Sequence, residues 1–221
     1  MRKYDVVLFD LDGTLTASGK GITKSVQYAL NKMGKEEMGK DLKALEVFIG
    51  PPLLKQFMAF CDITEDEAEL AVKYYRERYT VTGIFENHPY PGVEELLKRL
   101  KEKGYLLCVA SSKPDHMVHI VLEHFHLEQY FDVIWGSDIN RPKMTKAQVI
   151  ELVLEELGYK DQKEKAVMVG DRSHDVEGAN QVGISCIGVT YGYGNQEELT
   201  QSGAWKIAET VEEIEEILEG K

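Results

Sequence analysis

The sequence has no apolar run that approaches the roughly 20 residues needed to cross a lipid bilayer. The first apolar run is short and soon meets two aspartates, whereas a secretory signal needs a longer uncharged segment and a small-residue cleavage site. We therefore expect a cytoplasmic protein that has no membrane partner.

Cysteine is scarce, with 3 residues in a chain of 221. Cys61, Cys108 and Cys186 do not have the spacing of metal ligands, and no basic cluster that would activate a thiol lies near them in the sequence. An odd number of isolated cysteines is typical of reduced core residues in a cytoplasmic protein. This pattern argues against a disulfide-stabilised scaffold.

Basic residues are outnumbered, because 26 Lys and Arg stand against 38 Asp and Glu and give a formal net charge of -12. A protein that binds nucleic-acid polymers regardless of sequence needs a basic face. The composition therefore argues against a nucleic-acid partner. A small anion remains possible, since one positive pocket can exist in an acidic protein.

Short apolar runs alternate with amphipathic stretches along most of the chain. Each run is nearly all apolar, which is typical of strands covered by helices on both faces of a sheet. The alternation predicts an α/β fold with a doubly wound parallel sheet, whose ligands bind at the carboxyl ends of the strands. The predicted strands are 6–9, 105–110, 133–135, 166–169 and 185–189, and the predicted helices are 93–103, 115–125, 146–157, 173–182 and one within 209–221.

The alternation is interrupted between residues 16 and 85, where helical patterns occur without a convincing strand. Thr64 stands where it can cap the longest of these helices. We predict an all-helical cap domain at 16–85, inserted into a discontinuous core domain of residues 1–15 and 86–221. The predicted cap helices are 22–33, 53–61 and 65–79.

Two aspartates follow the first predicted strand. Asp10 and Asp12 are two residues apart, so in extended chain they share a face, and their charges would repel each other without a cation. Gly13 allows a tight exit from the strand and a close approach of the backbone to a ligand. On this segment alone a structural role stays open, with the aspartates as turn formers and Thr14 as a cap.

A second acidic pair follows the fourth predicted strand. Asp171 ends that strand and Asp175 lies four residues later, where helix capping would also explain it. Together the four carboxylates form an oxygen-rich site suited to Mg²⁺. Ser111 and Ser112 add hydroxyl groups between a strand and a helix, an arrangement that favours a bound anion.

The segment Asp10-Leu11-Asp12-Gly13-Thr14-Leu15, together with Gly170-Asp171 and Asp175, resembles the first and fourth motifs of the haloacid dehalogenase superfamily. The resemblance covers nearly the whole chain. It is specific to phosphatases with a helical cap after the first motif, in the phosphoglycolate phosphatase-like and 5′-nucleotidase-like branch. An acid at position 12 is typical of the phosphatases, since the dehalogenase branch lacks one there. The segments 50–53, 90–93 and 191–194 are similar to recurring cap, hinge and site-loop segments of that branch.

The resemblance implies a phosphoric monoester hydrolase and assigns a role to each motif. Asp10 would be the nucleophile that forms an aspartyl-phosphate, and Asp12 would be the general acid and then the general base. Ser111 would fill the second motif, and Lys146 the third, with Lys143 as a close competitor. The implied phosphate-binding residues are Gly13, Thr14, Ser111, Ser112 and Lys146. The implied Mg²⁺ ligands are Asp10, Asp12, Asp171 and Asp175, although Asp175 could instead support Lys146.

Several alternatives remain at this stage. A phosphomutase acting on a sugar phosphate would use the same intermediate, and a non-catalytic phosphate-binding regulatory protein could share the scaffold. His174 reads as a surface residue at the start of a helix. A metal site built on His116, His119, His124 and His126 is a further hypothesis. The expected partner is a small phosphorylated metabolite, with phosphoglycolate and nucleoside 5′-monophosphates as the candidates, and the sequence leaves the oligomeric state open.

Overall fold

The computed structural model describes residues 3–138 and 144–220. Its strands are β1 (Val6–Phe9), β2 (Leu106–Pro114), β3 (Val133–Ser137), β4 (Ala166–Gly170), β5 (Ser185–Val189) and β6 (Lys206–Ala208). They form one parallel sheet in the order β3-β2-β1-β4-β5-β6. The strand order reverses at β1, so ligand binding is expected beyond its carboxyl end. The predicted α/β fold with a parallel sheet is confirmed.

Helices occupy the stretches between the strands. They are α1 (Gly19–Lys32), α2 (Leu53–Cys61), α3 (Glu65–Tyr79), α4 (Val93–Glu102), α5 (Asp115–His124), α6 (Lys146–Glu156), α7 (Ser173–Val182), α8 (Gln196–Gln201) and α9 (Val211–Leu218). Buried side chains of α6 and α7 pack with those of β1, β2 and β4 in one apolar core cluster. The burial of both faces of β1 explains why its sequence is continuously apolar.

The chain divides into two compact units, Met1–Thr16 with Pro89–Lys221, and Ala17–His88. The first unit contains the sheet. The second consists of α1, α2, α3 and short 3₁₀ turns, and its described residues form no strand. Helix α3 is capped by Thr64, whose side-chain oxygen accepts a hydrogen bond from the Glu67 backbone N–H at 3.4 Å, while Glu67 Oε2 accepts one from the Thr64 N–H at 2.9 Å. This reciprocal capping explains the predicted helix start.

The strand register brings the predicted motifs together at the carboxyl ends of the strands. Phe9 at the end of β1 pairs with Val109 of β2 and with Val169 of β4. The residues that follow these partners therefore lie at the same edge, among them Asp10 and Asp171. One prediction needs correction here, because β2 continues beyond Ala110 to Pro114 with an irregular register, so Ser111 and Ser112 lie within the strand.

The three cysteines are free and buried, as the sequence predicted. Among the described residues, no helix combines the length and the apolar character that a membrane span requires.

Candidate active site

Lys146 lies at the centre of the site and joins two aspartates. Its Nζ lies 2.7 Å from Asp10 Oδ1 and 2.9 Å from Asp175 Oδ1, and it donates to the main-chain carbonyl of Ala110 at 2.9 Å. Lys146 is the first residue of α6, which is capped by Thr145. The structure thus brings together three of the predicted residues. Lys143, the alternative motif lysine, lies outside the described residues.

The electrostatics of this cluster follow from its burial. Burial raises the pKa of Asp10, and the charge of Asp175 adds to that increase against the opposing effect of Lys146. Burial acts to lower the pKa of Lys146, but Asp10 and Asp175 outweigh it and raise this pKa above its ordinary value. Burial acts to raise the pKa of Asp175, but His174 and Lys146 outweigh it and hold the pKa below its usual range. Lys146 therefore stays protonated between its two carboxylate partners.

Asp12 is held by Lys113, a residue that the sequence motifs do not indicate. Lys113 Nζ lies 2.5 Å from Asp12 Oδ2, and both side chains are buried. The other oxygen of Asp12, Oδ1, is buried and has no hydrogen-bond partner among the described residues. The sequence does show a lysine directly after the two serines at the end of β2. It does not show which carboxylate forms an ion pair with that lysine.

Ser111 and Ser112 differ in their surroundings. Ser111 is buried, and its hydroxyl oxygen accepts a hydrogen bond from the Lys113 backbone N–H at 3.3 Å. Ser112 is only partly buried, as expected for a neighbouring residue in extended chain, whose side chain points to the opposite side. Ser111 therefore lies on the same side of the strand end as Lys113.

Asp171 is fully buried and is surrounded by residues 13–14 and 192–194. Its Oδ2 accepts a hydrogen bond from the Tyr193 N–H at 2.8 Å, and its Oδ1 accepts a longer one from Thr14 Oγ1 at 3.5 Å. Gly13 has φ of +92°, and a Cβ there would lie 2.1 Å from Asp171 Oδ2, so this position requires glycine. Burial raises the pKa of Asp171 well above its usual value, and the charges of Asp175 and Asp10 raise it further.

His174 lies closer to the site than the sequence suggested. His174 lies at the start of α7, as predicted, but its side chain is only partly exposed, since Nε2 is buried and lies 3.6 Å from Asp175 Oδ1. The physical reason is that the first turn of α7 follows Asp171 directly and lies against the buried aspartates. Asp10, His174 and Asp175 each offer a ligand atom within 4.8 Å of the others.

The histidines of the α5 region do not form a comparable group. Within residues 3–138 and 144–220, they contribute to no cluster of three or more metal-ligating side chains. His119 is occupied otherwise, since its Nδ1 lies 2.7 Å from Glu128 Oε1. The hypothesis of a metal site on His116, His119, His124 and His126 is therefore not supported.

The donor set fits a hard divalent cation. The carboxylates of Asp10 and Asp171 are buried, and burial together with the charges of Asp175 and Asp10 raises the pKa of Asp171. A cation removes this penalty, and oxygen ligands of this kind suit Mg²⁺. Asp175 is already engaged, because Lys146 contacts its Oδ1 and the Arg172 backbone N–H donates to its Oδ2 at 3.2 Å.

The fold and this acidic, lysine-containing edge define a hydrolase of the haloacid dehalogenase type. Residues 7–189 match the family model described as haloacid dehalogenase-like hydrolase, and the chain belongs to this family. The resemblance to the haloacid dehalogenase superfamily and the prediction of a phosphoric monoester hydrolase are therefore confirmed.

The chain is also similar to several proteins of known name. A 5′-nucleotidase of Pseudomonas aeruginosa is 44% identical over 89% of this chain and 87% of its own length. A phosphoglycolate phosphatase of Aquifex aeolicus is 32% identical over 85% of both chains. A protein named tyrosine-protein kinase PtkA, from Mycobacterium tuberculosis, is 36% identical over 96% of this chain and 72% of its own length. The crystal structure of a predicted phosphatase from Clostridium acetobutylicum has a TM-score of 0.92 and 46% identity, over 98% of this chain and 99% of that one.

Proposed function

We propose that the protein is a Mg²⁺-dependent phosphatase that hydrolyses small phosphomonoesters through an aspartyl-phosphate on Asp10. The observation that carries the proposal is the meeting of Asp10, Asp12, Asp171 and Lys146 at the carboxyl edge of the sheet. The names of the 5′-nucleotidase and phosphoglycolate phosphatase relatives support it.

Asp10 acts as the nucleophile in the first step. One of its carboxylate oxygens forms a bond to phosphorus while the bond from phosphorus to the leaving oxygen breaks. Asp12 donates a proton to that leaving oxygen, so the alcohol departs neutral. Its Oδ1 is suited to this task, because Oδ2 is bound by Lys113 and Oδ1 has no hydrogen-bond partner in the described structure.

Water attacks phosphorus in the second step. Asp12, now ionised, takes a proton from this water, the bond between phosphorus and Asp10 breaks, and inorganic phosphate leaves. The free carboxylate of Asp10 and the protonated, general-acid form of Asp12 are then restored. The two aspartates therefore divide one difficult hydrolysis into two assisted steps.

Lys146 and Ser111 bind the phosphate oxygens in this proposal. Lys146 is a protonated point charge beside the nucleophile, and Ser111 offers a buried hydroxyl on the neighbouring strand. Gly13, Thr14 and Ser112 complete the proposed phosphate-binding set. Mg²⁺, held by Asp10, Asp171 and the main-chain carbonyl of Asp12, would offset the charge of the incoming phosphate. Asp175 supports Lys146 rather than ligating the ion.

The proposed substrates are nucleoside 5′-monophosphates and phosphoglycolate, in that order, because the 5′-nucleotidase relative has the higher identity. The test is phosphate release across a panel of these esters and sugar phosphates, with Mg²⁺ and with EDTA, for the wild type and Asp10→Asn. We expect release that EDTA abolishes, that added Mg²⁺ restores and that Asp10→Asn lacks. An isomerised sugar phosphate would indicate a phosphomutase instead. Binding of phosphate without turnover of any ester would indicate a regulatory protein.

A further inference from the structure

The segment that follows β5 makes direct contact with the site. We call residues 190–194 the 190–194 loop. The Tyr193 backbone N–H donates to Asp171 Oδ2 at 2.8 Å, and the Tyr191 hydroxyl donates to the Thr14 main-chain carbonyl at 3.0 Å. The loop is therefore bonded both to a buried carboxylate and to the segment that follows β1.

The loop backbone also lies against Asp171, and at Gly192 and Gly194 there is no space for a side chain. A Cβ at Gly192 would lie 2.3 Å from the Gly13 carbonyl oxygen and 2.5 Å from Asp171 Cβ. A Cβ at Gly194 would lie 1.9 Å from the Asp171 carbonyl oxygen. Since such distances are far shorter than normal contacts, both glycines are needed for the loop to reach Asp171.

Two tyrosine rings hold the loop in place. Tyr191 packs edge-on against Tyr90, with 4.9 Å between the ring centroids and 63° between the planes. The Tyr90 backbone N–H donates to the Leu15 carbonyl at 3.1 Å, so this contact also involves the segment that follows β1. Burial raises the pKa of the Tyr191 phenol, and the charge of Asp171 raises it further, so its hydroxyl stays protonated and able to donate.

We propose that the 190–194 loop positions Asp171 for a divalent cation, with Tyr191, Gly192 and Tyr193 as the positioning residues. The proposal rests on the proposed Mg²⁺-dependent function. Tyr193 fixes Oδ2, while the described contact of Oδ1 is the long hydrogen bond from Thr14 at 3.5 Å, which a metal ion can replace. The Tyr193 bond ties the 190–194 loop to Asp171, and the Tyr191 bond to Thr14 ties the same loop to the segment that carries Asp12. The loop thereby sets the distance between Asp171 and that segment.

The experiment measures Mg²⁺ affinity directly, by calorimetric titration of the full-length protein without substrate. The variants are Tyr191→Phe, which removes one hydroxyl, and Gly192→Ala, which forces the loop off Asp171. Gly39→Ala is the matched control, because a Cβ there meets its nearest atoms at an ordinary 3.5 Å. Thermal unfolding without Mg²⁺ reports the fold of each variant, and phosphate release is measured in parallel as a function of Mg²⁺ concentration.

We expect Tyr191→Phe to bind Mg²⁺ about 3- to 10-fold more weakly, the effect of one lost hydrogen bond. Gly192→Ala should weaken binding by more than about 10-fold through steric displacement, and Gly39→Ala should match the wild type. At saturating Mg²⁺, Tyr191→Phe should regain the wild-type kcat, which a general loss of structure would not allow. If Gly192→Ala does not fold, Tyr191→Phe decides the question.

Wild-type Mg²⁺ affinity in a folded Tyr191→Phe protein overturns the positioning role. If phosphate release is intact in that case, the proposed function stands without it. If the wild type releases no phosphate but the variants still bind Mg²⁺ more weakly, the loop proposal stands and the phosphatase proposal fails. If the wild type binds no Mg²⁺, both fail.

Discussion

Lys113 Nζ lies 2.5 Å from Asp12 Oδ2, and this ion pair joins the end of β2 to the segment that follows β1. The two residues are 101 positions apart in the sequence. The pair leaves Asp12 Oδ1 buried and without a hydrogen-bond partner among the described residues. The orientation of the proposed general acid therefore depends on Lys113.

Replacement of this lysine should impair turnover without removing the nucleophile. We expect Lys113→Met to lower kcat/KM for alkyl phosphates by about 10- to 100-fold, because a proton donor displaced by about 1 Å loses effectiveness of this order. Lys160→Met is the matched control, since Lys160 is exposed and lies 3.7 Å from Glu155. Steady-state kinetics on both variants, with circular dichroism to verify folding, provide the measurement. Unchanged kinetics in Lys113→Met would remove the residue from any role in turnover.

The acid role of Asp12 can be separated from its structural role by the choice of leaving group. Asp12→Asn keeps the shape of the side chain but supplies no proton. We expect a loss of about 10²–10⁴-fold with alkyl phosphates. With p-nitrophenyl phosphate the formation of the aspartyl-phosphate should lose much less, since that phenolate departs without a proton. Pre-steady-state release of p-nitrophenol tests this, and an equal loss for both kinds of ester would speak against the acid role.

Lys146 should matter for stability as well as for turnover. Lys146→Met leaves the buried carboxylates of Asp10 and Asp175 without their ammonium partner. Removal of one member of a buried ion pair costs about 3–5 kcal/mol in free energy of unfolding. Urea denaturation of Lys146→Met and of the exposed control Lys160→Met measures the difference. A change below about 1 kcal/mol would mean that the pair contributes no more than a surface ion pair.

The ion pairs of Glu86 with Arg78 and Lys24 predict a pH dependence of stability. Arg78 lies 2.7 Å from Glu86 Oε2 and Lys24 lies 3.5 Å from Glu86 Oε1. Burial acts to raise the pKa of Glu86, but the hydrogen bond and charge of Arg78, together with Lys24, outweigh it and lower the pKa below 4.5. A lowered folded-state pKa gives stability that is present above pH 4.5 and is lost as the pH falls through the folded pKa.

Glu86→Gln should therefore be less stable than the wild type at pH 7, by about 0.2–1 kcal/mol for a largely surface pair. The two proteins should converge as the pH falls below 4.5. Thermal unfolding of both at a series of pH values tests this sign. A difference that persists unchanged at low pH would show that the pair does not act through the ionised carboxylate.

The sheet was predictable from sequence where burial controls the pattern. β1 and β5 have the bounds expected from their apolar runs, because both faces of a central parallel strand are covered. β6 was missed, since it has three residues, lies at the sheet edge and begins with the exposed Lys206. α8 was also missed, although Asn195 accepts a hydrogen bond from the Glu198 N–H at 2.9 Å, a capping signal that is present in the sequence.

The site was predictable only in part, for a different reason. The motifs indicate Asp10, Asp12 and Asp171 because adjacent acids at strand ends are costly without a cation. The partners of these acids depend on which chain segments meet in three dimensions, and local patterns do not contain that information. Lys113, at the end of β2, and Tyr193 are residues of this kind, since each contacts an aspartate that belongs to a distant segment of the chain.

The central claim is that the phosphoryl group passes through Asp10, and trapping the intermediate tests it most directly. Acid-quenched enzyme, mixed with a turned-over phosphomonoester and Mg²⁺, is analysed by intact mass and by mapping of the modified peptide. We predict one added phosphoryl group on the peptide that contains Asp10, labile to hydroxylamine and absent from Asp10→Asn. Full turnover by a folded Asp10→Asn protein, or a phosphoryl group mapped to another residue of a competent intermediate, would contradict the account.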